Sequence, residues 1–357
     1  MSKRVLVAMS GGVDSSVAAA ILKEQGFDVI GATMKIWPKE LCGTHKERSC
    51  CSLRDVEDAR RVCDALNIRH YVLNFEKVFQ KEVIDYFTRE YMTGRTPNPC
   101  IVCNEKVKFG SLLRKAEALE CDFIATGHYA RIGRNGFCRL RESSDKAKDQ
   151  SYVLAMLTEK QLRKTLFPLG DLKKADVRKK AKTLGLCVHE KPDSQEICFV
   201  PGNNYSEFIR ERCGVSEEEG DIINLSGRTL GKHKGFWNFT IGQRRGLRIS
   251  HKEPLYVTDV NPGKNLIVVG EAFGIKKKRF KVTGINWISK KTQPDFEAEV
   301  KIRYAHKKAR ARVRITDGAA AEVEFHEPQK AITPGQAAVF YEKEDVLGGG
   351  WIEKTLA

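Results

Sequence analysis

Apolar positions in the first 130 residues alternate between two periods. Short β-branched and aliphatic runs at 4–9, 28–36, 70–75 and 122–126 have the length of buried strands. Between them, apolar residues recur at helical spacing. One such stretch, 15–25, is Ala-rich and stopped by Gly26. Another starts at Ser52, with Leu53, Val56, Ala59, Cys63 and Leu66 on one face and Ser52 and Asp55 at capping spacing. Two more cover 77–91 and 109–119. Strand–helix alternation of this kind predicts an α/β domain with a parallel sheet and helices on both faces. Residues 133–150 read as a polar connector, and helices are expected near 158–164 and 174–184, leading to a loop at Lys191-Pro192-Asp193-Ser194. Beyond about 215 the helical period fades, and 220–262 is rich in Gly and short strands. After 278, alternating runs at 280–287, 297–304, 309–315, 321–325, 336–341 and 347–352 predict a small antiparallel β-barrel. The expected division is 1–200, 201–277 and 278–357, with no internal repeat.

Composition narrows the class. Of 357 residues 41% are hydrophobic and 30% charged, ordinary for a globular chain with a real core. The 62 Lys and Arg against 46 Asp and Glu leave a net charge of +16, which favours a polyanionic partner through counterion release. No apolar run approaches 18 residues, so no membrane span or membrane partner is expected. Residues 1–9 run straight into a strand and lack a cleavage region. Eleven dispersed cysteines read as cytosolic thiols and not as a disulfide framework, which points to the cytoplasm.

Two motifs carry the chemistry. Ser10-Gly11-Gly12-Val13-Asp14-Ser15-Ser16 joins the first strand to the first helix. Its glycines let the backbone approach a phosphate, the helix start supplies N–H groups, and the serine hydroxyls add hydrogen bonds. Asp14 is the candidate to hold Mg2+. The loop lacks the Lys of GxxxxGK[ST], so it is not a kinase or GTPase loop. A plain strand-to-helix turn is the bland alternative. The second motif, Thr96-Pro97-Asn98-Pro99-Cys100-Ile101-Val102-Cys103-Asn104, reads as a proline-stiffened loop ahead of a helix, with Lys106 and Lys108 placed to stabilise a thiolate. Cys198, between Ile197 and Phe199, reads by itself as core packing, and Cys100 and Cys103 as a structural metal site or coincidence. Cys42, His45, Cys50 and Cys51 fit no common zinc spacing and are expected to pack.

The first motif resembles the pyrophosphate loop of the ATP pyrophosphatase superfamily. Taken with Thr96 to Asn104, Gly127 to Arg131 (GHYAR), Lys148 to Tyr152 (KDQSY), Asp193 to Phe199 (DSQEICF) and Thr240 to Leu247 (TIGQRRGL), it resembles the bacterial tRNA-specific 2-thiouridylase family along the whole chain. That resemblance implies a phosphate-loop catalytic domain, a small central domain that contacts tRNA and a C-terminal barrel. It implies ATP bound by Ala8, Met9, Ser10, Gly11, Gly12, Val13, Asp14, Ser15, Met34 and Gly127. The implied reaction is 2-thiolation of the wobble uridine in tRNAs for Lys, Glu and Gln. The uridine is flipped into the site and adenylated at its C2 oxygen. Cys198 carries a persulfide loaded by a sulfur-carrier protein, with free sulfide as the other donor, and Cys103 is the second thiol, either freeing hydrogen sulfide or closing a disulfide with Cys198. Many members carry Asp where this chain has Cys100, so an acid–base role there rests on a thiol. The alternative is a [4Fe–4S] cluster on Cys100, Cys103 and Cys198.

The same correspondence implies tRNA contacts at Asn98, Pro99, Cys100, His128, Lys148, Asp149, Gln150, Arg303, Tyr304 and Gln336, with Gly242-Gln243-Arg244-Arg245 as a further candidate. In the barrel, Arg303, Lys307, Lys308, Arg310, Arg312 and Arg314 cluster, and alternation puts Arg310, Arg312 and Arg314 on one face. That row suits phosphates; the alternative is a solvated strand face.

Overall fold

The computed structural model describes every residue except Met1, 37–52, Asn135, 194–196, Pro201, Asn203, 290–292 and Ala357. Ser52, the quartet Cys42, His45, Cys50 and Cys51, and the middle of the 193–199 motif therefore lie outside the described residues. The chain divides into two compact units, one of residues 1–84, 100–203 and 344–346, the other of 85–99, 204–343 and 347–357.

The first unit begins as the periodicity predicts. Strand β1 (Arg4–Ala8) leads to α1 (Val13–Glu24), β2 (Asp28–Lys35), α2 (Leu53–Ala65) and β3 (Arg69–Asn74). Helix α3 (Glu76–Phe79) runs into a π-helical turn, Gln80–Ile84; α4 (Asp85–Met92), next in the chain, belongs to the second unit. Next come α5 (Pro99–Val102), a π-helical run Cys103–Leu112 and α6 (Leu113–Ala118). Strand β4 (Phe123–Ala125), β5 (Ala130–Gly133), β6 (Arg139–Glu142), α7 (Glu159–Arg163), β7 (Thr165–Leu166) and α8 (Lys174–Thr183) complete it. The parallel sheet has the order β3-β2-β1-β4-β7. Its core joins Val5, Val7 and Val29 to Val17, Ala18 and Leu22 of α1 and to Val62 of α2.

Two expectations fail here. The segment with Cys100 and Cys103 is helical and not a loop: Pro99 occupies the first helical position, where its fixed φ and missing N–H are harmless. The supposed connector at 133–150 holds the β5–β6 hairpin. Its polar residues are strand residues whose partners lie far along the chain: Arg141 pairs with Asp345 at 2.8 Å and Arg131 with Glu344 at 2.7 Å.

In the second unit α9 (Tyr205–Cys213) precedes β8 (Gly220–Asn224), β9 (Thr229–His233), β10 (Tyr256–Asn261) and β11 (Leu266–Gly270), ordered β10-β11-β8-β9. All six predicted barrel strands form: β12 (Lys276–Trp287), β13 (Asp295–Lys301), β14 (Ala309–Asp317), β15 (Ala320–Lys330), β16 (Ala337–Glu342) and β17 (Asp345–Thr355). Pairing of β12 with β17 closes the antiparallel ring. Closure removes free edges, and Phe280, Val300, Val313, Phe325, Phe340 and Ile352 fill the interior.

Candidate active site

In the sheet order, β2 and β3 lie on one side of β1 and β4 on the other. The crevice beyond the carboxyl ends of β1 and β4 is therefore the topological switch point, where open α/β sheets bind ligands. The Ser10–Ser16 loop leaves β1 there, and Gly127 leaves β4. Gly11 adopts φ +69°, and a Cβ on it would lie 2.3 Å from the Asp55 carbonyl oxygen. A Cβ on Gly127 would lie 2.7 Å from the backbone nitrogen of Ser15. Both glycines are required by space. Gly12 is the N-cap of the 12-residue α1, and no side chain caps that end, which leaves the helix start to an anion. The Ser15 hydroxyl lies 3.2 Å from that of Ser10, and Ser16 donates to the Gly12 carbonyl at 2.8 Å. Ala8 and Met9 end the central strand, and Met34 sits partly buried near the end of β2. This shape and donor set fit the phosphates of ATP.

A charge network that sequence reading missed surrounds the loop. Lys174, at the start of α8, donates to both carboxylate oxygens of Asp14 at 2.8 Å and lies 2.9 Å from Asp193. Asp193 also accepts from Lys148 at 2.8 Å and Arg178 at 2.7 Å. Burial alone would raise the Asp193 pKa, but the bonds from Lys148 and Lys174 outweigh it and hold it at about 2. Lys191 donates to the Gly11 carbonyl at 2.9 Å and to Asp55 and Asp58 at 2.6 and 2.7 Å. The Tyr129 hydroxyl donates to Asp14 at 2.8 Å; burial and Asp14 push that phenol above its ordinary range, so it stays protonated. Lys191 and Asp193 both precede Cys198 in the chain, so the stretch leading to that cysteine is tied to the phosphate loop. Asp14, Tyr129, Lys148 and Asp193 stand in recognisable motifs, whereas Lys174, Arg178 and Asp58 carry no sequence signal.

Asp14, the expected magnesium ligand, thus has both oxygens engaged by an ammonium group. Among the described residues no three His, Cys, Asp or Glu side chains gather into a group that could hold a metal. Cys100, Cys103 and Cys198 are not part of such a group.

Cys100 is exposed on α5, and Cys103 is partly buried at the start of the π-helical run. The buried Asn104 beside it donates to the Val153 carbonyl at 2.9 Å. Cys198 is also partly buried and precedes Phe199, whose ring meets Phe79 of α3 edge-on at 5.7 Å. Because α3 packs against the π-helical run, the segments bearing the two thiols share one neighbour. No disulfide is present among the described residues.

The expected tRNA contacts differ in what already holds them. Lys148 is held by Asp193. His128 is partly buried, 2.7 Å from the Thr126 hydroxyl, and burial, then Lys108, drives its pKa well below 6.5. The Asp149 carboxylate is buried and accepts from Ser143 and Ser151, while Gln150 accepts from the Tyr129 N–H at 2.9 Å. In the second unit Gln336 donates to the carbonyls of Thr96 and Pro97 at 3.0 and 3.1 Å, fixing the strap that carries Asn98 and Pro99. Tyr304 is exposed, and Arg303 donates to the Lys330 carbonyl at 3.2 Å. Arg310, Arg312 and Arg314 do share the outer face of β14, but they stand between two rows of carboxylates. Glu299, Glu297 and Asp295 oppose them on β13, and Glu324 and Glu322 oppose Arg312 and Arg314 on β15. Arg312 grips Asp295 with two bonds of 2.8 Å, and Arg314 lies 3.6 Å from it. The row is charge-matched and not a bare phosphate track.

Comparison with known proteins accords with this arrangement. A family model described as "tRNA methyl transferase HUP domain" matches residues 3–202, a "tRNA methyl transferase PRC-barrel domain" matches 206–271, and an "Aminomethyltransferase beta-barrel domain" matches 277–352. The tRNA-specific 2-thiouridylase MnmA of Caldicellulosiruptor saccharolyticus is 50% identical, covering all of both chains. That of Geobacter metallireducens is 47% identical over 99% of this chain and 98% of its own. A solved 4-thiouridine synthetase–RNA complex with bound ATP, at 17% identity and a TM-score of 0.36 over 59% of this chain and 50% of its own, is too distant to argue from. With likeness running from end to end and the motifs in one order, the chain belongs to the tRNA-specific 2-thiouridylase family.

Proposed function

We propose that the protein is an ATP-dependent tRNA-uridine 2-sulfurtransferase acting on the wobble uridine of tRNAs for Lys, Glu and Gln in the cytoplasm. The observation that carries this reading is the single unit that holds both an anion-shaped loop at the sheet's switch point and the thiol-bearing segments tied to it. The word "methyl transferase" in two of the family descriptions names another reaction. The thiols and the full-length relatives favour sulfur transfer.

The reaction divides between two chemistries. Bound at Ser10–Ser16, ATP offers its α-phosphorus to the C2 oxygen of a flipped uridine, and pyrophosphate leaves. The adenylated oxygen is now a leaving group. Cys198, loaded as a persulfide by a sulfur-carrier protein that hands over sulfane sulfur and leaves as its own thiol, supplies the sulfur that attacks C2. Cys103 attacks the inner sulfur of Cys198, closing a disulfide, and the terminal sulfur stays on C2 as AMP departs with the former C2 oxygen. An external thiol then reduces the disulfide. Lys174, Lys191 and Tyr129 hold the loop and Asp14 in shape, and Gln336 holds the strap whose Asn98 and Pro99, with Cys100, surround the base.

Pyrophosphate release and thiolation are separable. With unmodified tRNA, a Cys198→Ser variant is expected to release pyrophosphate while forming no 2-thiouridine. Pyrophosphate release that is indifferent to tRNA, or full thiolation by the variant, overturns the reading.

A further inference from the structure

Strand β12 opens with Lys276, Lys277, Lys278 and Arg279, all exposed. Arg279 is met by Glu322 and Glu324 at 3.6 and 4.0 Å, but the three lysines have no carboxylate partner among the described residues. Lys276 stands directly opposite Lys330 on β15, which is likewise exposed and unpaired with any described carboxylate. Like charges directly across a sheet are destabilising, so this pairing costs stability. A third segment adjoins. The Ala331 N–H donates to the Ile275 carbonyl at 2.9 Å, and the Cβ of Ala331 lies 2.6 Å from where a Cβ on Gly242 would stand. Gly242, at φ +86°, opens the turn with the exposed Arg244 and Arg245. Three stretches far apart in sequence thus bring basic side chains to one junction within the second unit.

We propose that this junction of Lys276, Lys277, Lys278 and Lys330 with Arg244 and Arg245 is the track for the tRNA phosphate backbone, in place of the charge-matched arginine row on β14. The proposal rests on the tRNA-thiolation reading and names where that reading's polyanion is held. A chain of phosphates is the occupant that matches it, because an unneutralised run of lysines gains from counterion release along a polyelectrolyte. An acidic sulfur-donor protein is the competing occupant.

The test measures binding of an unmodified tRNA transcript to the full-length protein across a salt series. Wild type, Lys276→Gln/Lys330→Gln and Lys330→Glu are compared, with thermal midpoints for each. The double variant is expected to bind about tenfold more weakly near 0.1 M salt, and its slope of log K against log salt is expected to shrink by about two. Lys330→Glu should weaken tRNA binding while raising the midpoint by about 1–2 °C, because it turns a like-charge pair into an opposite one. That opposition separates a binding role from a structural one. Unchanged affinity and slope in the double variant overturn the track, as does a defect confined to sulfur delivery by a protein donor. If wild type itself fails to bind tRNA, the thiolation reading falls and the track falls with it.

Discussion

Around the phosphate loop, Asp14, Asp55, Asp58 and Asp193 are each met by a lysine or arginine of the same unit, at 2.6–2.9 Å. At the junction of β12 and β15 the lysines are left to solvent and to one another. Both regions are rich in charge, yet they do opposite things with it. Closed pairs fix the position of loop and cysteine segment and must be exchanged when phosphate arrives. Open lysines fix nothing and are available to a polyanion. The arginine row of β14 sits with the first kind although it lies on the barrel, so what separates the regions is pairing and not the number of charges.

The contrast can be broken most sharply at Gly127. A methyl group there meets the backbone of Asp14 and Ser15 at 2.7 Å. Gly127→Ala is expected to displace the loop, lower tRNA-dependent pyrophosphate release about a hundredfold and cost about 1–3 kcal/mol in denaturant unfolding. Lys174→Met comes next. It leaves the partly buried Asp14 carboxylate with the Tyr129 hydroxyl but without its ammonium partner, while Asp193 keeps Lys148 and Arg178, and should cost about 2 kcal/mol, less than for a fully buried pair, with a raised KM for ATP. A raised KM without loss of stability would detach Lys174 from the closed network.

Acid titration sharpens the same contrast. The folded Asp193 pKa of about 2 lies below its ordinary 3.8, so the folded form holds that proton less tightly than the unfolded chain. Its stabilisation is complete above about pH 4 and is lost as pH falls toward 2. Asp193→Asn should flatten the unfolding midpoint across that window. The smallest effect is expected on the barrel: Arg312→Gln breaks a fully exposed, solvent-screened pair, so it should leave both the unfolding midpoint and tRNA affinity nearly where they were. Weaker tRNA binding by that variant would return the β14 row to the RNA surface.

Sequence reading reached what is local. The Gly-Gly turn between a strand and a helix, the six alternating barrel runs and the one-sided spacing of Arg310, Arg312 and Arg314 all follow from short-range periodicity. What it missed depends on partners distant in the chain. Arg139 and Arg141 looked like connector residues because Asp345, which pairs with both, lies some 200 positions on. The β14 arginines looked like a phosphate row because the register that brings Asp295, Glu297 and Glu324 alongside is set by tertiary pairing. Pro99 was read as stiffening a loop, where it opens a helix, since the two roles share the same φ. The bonds of Lys174 to Asp14 and of Lys191 to Gly11 span 160 and 180 positions and leave no periodic trace.

The most direct test of the account follows one oxygen atom. A tRNA with 18O at C2 of the wobble uridine is turned over once with ATP and a sulfur source, and the AMP is weighed by mass spectrometry. Adenylation at the uridine oxygen predicts AMP carrying one 18O for each 2-thiouridine formed. Unlabelled AMP alongside full thiolation contradicts it.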